Sequence, residues 1–119
     1  MKTKSLALMA AVVLTFGLGL LGAEEKLGVQ VYEGAKYDEA VSQFVNESMH
    51  VEAYCYRTND SIAKVTEFYK KQPGLEYVGG DETGGMFKKG EITITIQNPW
   101  MDMKTGKTIK DTLISIVKQ

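Results

Sequence analysis

Apolar and polar residues alternate most regularly in the segment 91–97. Three isoleucines take every second position, and polar residues fill the positions between them: Ile92, Ile94 and Ile96 alternate with Thr93, Thr95 and Gln97. A repeat of two residues places successive side chains on opposite faces of a β-strand. We therefore predict a strand whose isoleucine row packs against a helix and whose threonines lie on the other face.

A helical repeat follows the segment Asn59-Asp60-Ser61. Apolar residues recur there at spacings of three and four: Ile62, Val65, Phe68 and Tyr69. The polar segment supplies an N-cap and Pro73-Gly74 ends the pattern, so we predict one long helix. A second, shorter helix is predicted to begin at Asp38, because the same spacing returns after it in Ala40, Val41, Phe44 and Val45.

The segment 50–57 alternates again and is rich in residues that favour strands. One predicted face carries Val51, Ala53 and Cys55, and the other carries His50, Glu52, Tyr54 and Tyr56. We expect the first face to pack against the helices, with Cys55 as a small buried residue. Tyr54 and Tyr56 are then expected on the opposite face, with the threonines of the segment 91–97.

The other predicted strands complete a sheet. They cover Val29 to Tyr32, Leu75 to Val78, Met86 to Lys88 and Thr108 to Lys118, with a glycine-rich turn over 79–85 and a loop over 98–107. Strands outnumber helices and the later strands follow one another through short turns. The predicted fold is a two-layer α+β domain over 24–119, with a mainly antiparallel sheet of about five to six strands and both helices on one face.

The first 23 residues have the order of a secretory signal peptide. Lys2 and Lys4 begin the chain, an uncharged apolar run reaches Ala23, and Glu24 follows at once. This order predicts cleavage after Ala23 and a periplasmic or secreted domain. An uncleaved N-terminal anchor is the alternative, because the apolar run is close to the roughly 20 residues that span a bilayer. Membrane contact is expected only in that case.

The charge of the chain argues against nucleic-acid binding. Without Lys2 and Lys4, 12 basic side chains stand against 15 acidic ones, a net charge of −3. Proteins that bind nucleic acids need a basic face that releases counterions from the phosphates. The single cysteine also rules out an internal disulfide, so a secreted domain of this sequence relies on packing alone.

No pair of residues with catalytic spacing emerges. His50 and Cys55 are the only histidine and cysteine, and five residues of strand place them on opposite faces about 16 Å apart. Gly106-Lys107-Thr108 copies the end of a phosphate-binding loop, but the first glycine of that motif is absent and a strand is predicted to follow. We predict neither an enzyme nor a cofactor.

The segment 98–104 places the only tryptophan beside two methionines. Trp100, Tyr54 and Tyr56 are the predicted binding residues, together with Met101 and Met103, because large amphipathic side chains suit recognition of a protein or small molecule. The alternative is a carrier of Cu(I) or Ag(I), since thioethers select soft metals. Periplasmic copper and silver chaperones are similar in combining Trp, Met and His, although they space the methionines differently. His50 would supply the histidine.

Three short elements together resemble small secreted bacterial proteins: Tyr32 to Ala35, Arg57 to Ser61 and Phe68 to Lys71. Those proteins are single domains of uncharacterised function. The resemblance implies export and an α+β fold, and it carries no activity or site residues. The sequence thus predicts an exported, non-enzymatic binding domain.

Overall fold

The computed structural model of the protein describes residues 24–119; the predicted signal segment 1–23 lies outside this range. Two helices are present, α1 (Glu39–Met49) and α2 (Ile62–Lys70). The strands are β1 (Glu25–Lys26), β2 (Val29–Gln30), β3 (Lys36–Tyr37), β4 (Glu52–Thr58), β5 (Glu76–Asp81), β6 (Gly84–Lys89), β7 (Ile92–Gln97), β8 (Trp100–Asp102), β9 (Lys107–Ile109) and β10 (Thr112–Lys118).

Six of the strands form one antiparallel sheet in the order β3-β4-β10-β7-β6-β5. The strands β1 and β2 form a separate hairpin, and so do β8 and β9. The predicted mixture of two helices with a mainly antiparallel sheet of six strands is confirmed. The segment 98–107, predicted to be a loop, instead contributes β8 and the first residue of β9.

One face of the sheet holds the larger core and is covered by α2. Ile114 lies opposite both Tyr56 and Ile96, and Ile116 lies opposite Ile94, so these side chains share a face. Val65 and Tyr69 of α2 are completely buried against them. The helical stripe was correctly predicted, as was its contact with the isoleucine row. Ser61 is the N-cap, where its side chain accepts the Lys64 N–H.

The other face holds a smaller core, formed by Cys55, Trp100 and Leu113. Val41 and Val45 of α1 pack against this cluster, as does Ile109. The two helices therefore cover opposite faces, and the prediction of both on one face is wrong. Its cause is that β4 and β10 are buried on both faces, so alternation alone does not reveal which row meets which helix.

The predicted lengths of the helices are also reversed, since α1 has 11 residues and α2 has nine. Asp38 is the N-cap of α1, as predicted, and its side chain accepts the Val41 N–H at 3.0 Å. The helix continues beyond the predicted apolar stripe to Met49 and ends at His50, whose φ of 54° is left-handed.

Hydrogen bonds hold α1 against the edge of β4 beyond the short strand β3. The Ser42 hydroxyl accepts the Cys55 N–H at 2.7 Å and donates to the Asp38 carbonyl at 2.8 Å. The Asn46 amide donates to the Ala53 carbonyl at 2.9 Å and accepts the Ala53 N–H at 3.2 Å. Side chains of α1 thus replace a neighbouring strand along this edge.

The glycine-rich segment 79–85 is a tight hairpin and not the flexible turn that the sequence predicts. β5 and β6 pair up to Asp81 and Gly84, so only Glu82 and Thr83 form the turn. A Cβ atom on Gly80 would lie 2.5 Å from the Gly84 carbonyl oxygen, and one on Gly84 would lie 2.7 Å from the Ile96 carbonyl oxygen. The glycines permit this close approach of three strands.

Candidate functional site

A groove of about 650 Å³ lies beside β3. We call it the acidic groove. Its walls come from the segment around β3, from the end of β4 with the turn that follows it, and from one residue before β10. The lining residues are Glu33, Gly34, Lys36, Tyr37, Asp38, Glu39, Arg57, Thr58, Asn59, Asp60 and Asp111.

Arg57 joins two walls of the acidic groove. Its Nε and Nη2 atoms lie 2.9 and 2.8 Å from Asp111 Oδ2, and its Nη1 atom lies 3.2 Å from Asp38 Oδ2. The hydrogen bond to Asp111 is the main cause that raises the pKa of Arg57, and the bond to Asp38 adds to it. Because Asp38 also caps α1, the guanidinium ties the start of the helix to the end of β4.

The ionisable side chains that line the acidic groove give it a net negative charge. The lining contains five carboxylates and two cations, and Arg57 is shared between Asp38 and Asp111. Glu33, Glu39 and Asp60 are then balanced only by Lys36 among the lining residues. A surface with this excess of carboxylates attracts cations and repels anions.

Aromatic side chains flank these carboxylates. The Tyr37 ring is 49% exposed and lies edge-on to Tyr56, with 5.4 Å between the ring centroids. The Tyr32 hydroxyl donates to Asp60 Oδ2 at 2.6 Å, and this bond is the main cause that raises the pKa of Tyr32 to about 12. An aromatic face beside carboxylates is suited to an organic cation.

The tyrosines predicted for binding, Tyr54 and Tyr56, are not among the residues that line the acidic groove. Tyr56 is completely buried, its hydroxyl donates to Glu24 at 2.9 Å, and burial raises its pKa. Tyr54 shares the α2 face with Tyr56 and is partly buried; its hydroxyl donates to Glu52 at 2.7 Å. The expectation that these rings lie opposite the helix-packed face is wrong, because β4 presents its tyrosine row to the core under α2.

Trp100 is a core residue with one polar contact. Only 5% of its surface is exposed, and its ring packs with Cys55 and Leu113. The indole N–H donates to Asp111 Oδ1 at 2.9 Å, and the Arg57 guanidinium carbon lies 5.2 Å from the ring centroid. Trp100 therefore contacts Asp111 and Arg57 of the acidic groove from the core, and it presents little surface to a partner.

The predicted soft-metal ligands lie on different elements. Met101 and Met103 are 56% and 67% exposed on the β8–β9 hairpin, whereas His50 is exposed at the end of α1. Within residues 24–119, no group of three or more His, Cys, Asp or Glu side chains is placed to hold a metal ion. The same range contains no helix long and apolar enough to cross a membrane.

Sequence reasoning missed the residues that form the acidic groove. Arg57 and Asp111 are 54 positions apart in the chain, and their contact depends on the pairing of β10 with β4. Asp38 was identified only as a helix cap. The alternating pattern of β4 contained one usable signal, because Arg57 falls in the same row as Ala53 and Cys55, where an isolated charge requires a partner.

Searches of protein-family models, of curated proteins and of solved structures found no match to this chain.

Proposed function

We propose that the protein is an exported, non-enzymatic domain that binds an organic cation in the acidic groove. The observation that carries the proposal is the set of three carboxylates, Glu33, Glu39 and Asp60, that Arg57 does not neutralise beside the half-exposed ring of Tyr37. An ammonium or guanidinium group gains from both the carboxylates and the aromatic face. The ligand class is thus a small molecule or a peptide side chain with such a group.

Export is supported by the order of residues 1–23 and by the contacts of the residue that follows them. The Glu24 carbonyl accepts the Val31 N–H at 2.7 Å, and the Glu24 carboxylate accepts the Tyr56 hydroxyl. These contacts make Glu24 part of the folded domain, which fits cleavage after Ala23, as predicted for a periplasmic or secreted protein. Intact mass of protein from its native compartment tests this part of the proposal.

Spermidine is a suitable probe of the acidic groove, because it carries several ammonium groups on a flexible apolar chain. We expect titration of the isotopically labelled protein to shift the backbone amides of residues 33–39 and 57–60 first. The double variant Glu33→Gln/Glu39→Gln should bind about tenfold more weakly, the loss of about 1.4 kcal/mol that two exposed ion pairs supply. Both side chains are exposed, so the fold should persist.

The matched control is Glu47→Gln/Glu91→Gln, which removes the same charge from exposed positions outside the acidic groove. Binding that falls equally in both double variants would reflect net charge alone and would contradict the proposal. Added salt should weaken binding in the wild type, since exposed ion pairs are screened.

The soft-metal carrier is a second candidate, supported by the exposure of both Met101 and Met103 two positions apart. Thioethers at this spacing can meet one Cu(I) or Ag(I) ion if a third donor joins them. Silver titration followed by Trp100 fluorescence tests it, because Trp100 adjoins Met101 in β8. Stoichiometric quenching that disappears in Met101→Leu/Met103→Leu would favour the carrier over the cation-binding domain.

A further inference from the structure

The sheet ends at β5, whose outer side has no partner strand within residues 24–119. In the described part of the chain, β5 pairs only with β6, and no other group hydrogen-bonds to the backbone of Glu76–Gly80. The pairing passes from Tyr77 to Gly79, so Val78 has no counterpart on β6 either. Unpaired N–H and C=O groups along an extended strand are a template for another strand.

Two large side chains of the β5 edge are also exposed and can contact a partner. Tyr77 and Val78 are 42% and 51% exposed. The Tyr77 ring lies against Phe87 with 5.1 Å between centroids, and the Lys70 ammonium lies 4.7 Å from the Tyr77 ring centroid. These two contacts restrict the ring, which lowers the entropy lost when a partner packs on it.

A second groove, of about 630 Å³, lies between α2 and the tip of the β5–β6 hairpin. We call it the hairpin groove. Its ionisable lining consists of three acids and one base apart from Tyr77: Glu67, Asp81, Glu82 and Lys70. An extended segment that pairs with β5 places every second side chain on the α2 side of the sheet, next to this groove. The charges there favour a Lys or Arg side chain.

Charge also distinguishes between possible occupants of the edge. The segment 75–87 contains three acids and no Lys or Arg: Glu76, Asp81 and Glu82. A second copy pairing antiparallel over the whole of β5 would set Glu76 opposite Asp81 of its partner at both ends. Like charges directly opposite destabilise a strand pair, whereas a basic strand would meet opposite charges.

We propose that β5 binds an extended, Lys- or Arg-bearing peptide segment of a partner protein as a seventh strand of the sheet. Backbone hydrogen bonds to Glu76–Gly80 supply the attachment, and a basic side chain enters the hairpin groove. The site is separate from the acidic groove and does not depend on the function proposed for it.

The probe is a short capped peptide of alternating Thr and Lys, which favours an extended conformation and stays soluble. Amide NMR titration of the labelled protein should show shifts in β5 and around the hairpin groove, with slower hydrogen exchange of the amides of residues 76–80. The same peptide methylated on alternate backbone nitrogens keeps its charge but cannot pair. A peptide of alternating Thr and Glu reverses the charge.

The test variant is Val78→Lys/Glu82→Lys, which places positive charge on the exposed edge and turn. We expect it to weaken binding of the Thr/Lys peptide by at least about tenfold. The matched control, Met49→Lys/Glu47→Lys, makes the same change of charge at the exposed end of α1 and should bind like the wild type.

Equal binding of the methylated and unmethylated peptides would overturn the proposal, because it would show attraction without strand pairing. Shifts confined to residues 33–39 and 57–60 would overturn it as well, while supporting the acidic groove. Concentration-dependent dimerisation that Val78→Lys abolishes would assign the edge to a second copy and would also overturn it. Selective protection of the β5 amides by the Thr/Lys peptide supports it.

Discussion

The two ends of the six-stranded sheet differ in how the outer N–H and C=O groups of the backbone are hydrogen-bonded. At one end, the short strand β3 covers only part of β4, and side chains of α1 complete the hydrogen bonding of Ala53 and Cys55. At the other end, β5 is left with its outer side unpaired in the described part of the chain. A helix can therefore close a sheet edge as a strand does, provided that it presents polar side chains at the correct spacing.

The spacing in α1 explains how it does so. Ser42 and Asn46 are four residues apart, one turn of helix, and they meet Cys55 and Ala53, which are two residues apart on β4. Four helical residues rise about 6.0 Å and two strand residues span about 6.6 Å, so the two repeats nearly match. Among residues 24–119, no helix covers the edge of β5 in this way, and the strand has an acidic residue at each end.

The largest effect is expected from removing the side chains that close the β4 edge. Ser42→Ala leaves the buried Cys55 N–H without its acceptor, and Asn46→Ala leaves both backbone groups of Ala53 without partners. Each change should lower the free energy of unfolding by about 1–3 kcal/mol. Denaturant melts provide the measurement. The exposed neighbour Gln43→Ala should stay within about 0.5 kcal/mol of the wild type. Equal losses in all three variants would mean that the contacts do not matter.

Hydrogen exchange gives the next test of the difference between the edges. The amides of Ala53 and Cys55 should exchange at least about a hundredfold more slowly than the outward amides of residues 76–80, because exchange of the former requires α1 to detach. In Ser42→Ala, the Cys55 amide should lose most of this protection while β7 keeps its own. Rapid exchange at Cys55 in the wild type would show that the β4 edge is open in solution.

The reactivity of the Cys55 thiol is a third measure of how well α1 covers the edge of β4. It is completely buried, its Sγ atom lies 3.5 Å from Ser115 Oγ, and burial raises its pKa. We expect the native thiol to react with Ellman's reagent orders of magnitude more slowly than in denaturant, since a buried, protonated thiol is a poor nucleophile. Asn46→Ala should accelerate labelling more than Gln43→Ala does. Fast labelling of the wild type would contradict the burial.

The smallest effect is expected from the hydrogen bond that the Tyr32 hydroxyl donates to the Asp60 carboxylate. The pKa of Tyr32 is raised from 10.0 to about 12, so the folded state holds this proton more tightly than the unfolded chain. The stabilising contribution is complete below pH 10 and is lost as the pH rises to about 12. Tyr32→Phe and Asp60→Asn should each flatten the alkaline decline in the free energy of unfolding. An unchanged slope in both variants would place the decline in other groups.

The sequence predicted individual elements better than their arrangement. The cap at Asp38, the capping segment 59–61, the stripe on α2 and the isoleucine row were all found, because each depends on residues close together in the chain. The face of β4 that meets α2 was not found. One row contains Cys55 and the other contains Tyr56, and both side chains are completely buried, so polarity does not mark either row as the outer one.

The acidic groove could not be predicted from the sequence for a related reason. Its geometry depends on Arg57 meeting both Asp38 and Asp111, and these contacts exist only after β10 has paired with β4. The β8–β9 hairpin was missed because each strand has three residues, too few for a periodic pattern. Without that hairpin, the sequence did not decide whether Trp100 is buried or presented, and it was included among the predicted binding residues; in the structure it is part of the core.

The position of β10 in the sheet has a consequence for biogenesis. It lies between β4 and β7, although it follows both in the chain. While the chain emerges from a ribosome or a membrane pore, each of these earlier strands lacks one neighbour, and their buried rows stay accessible to chaperones and proteases. The core can therefore be completed only after Thr112–Lys118 has emerged, because this strand alone joins β4 to β7.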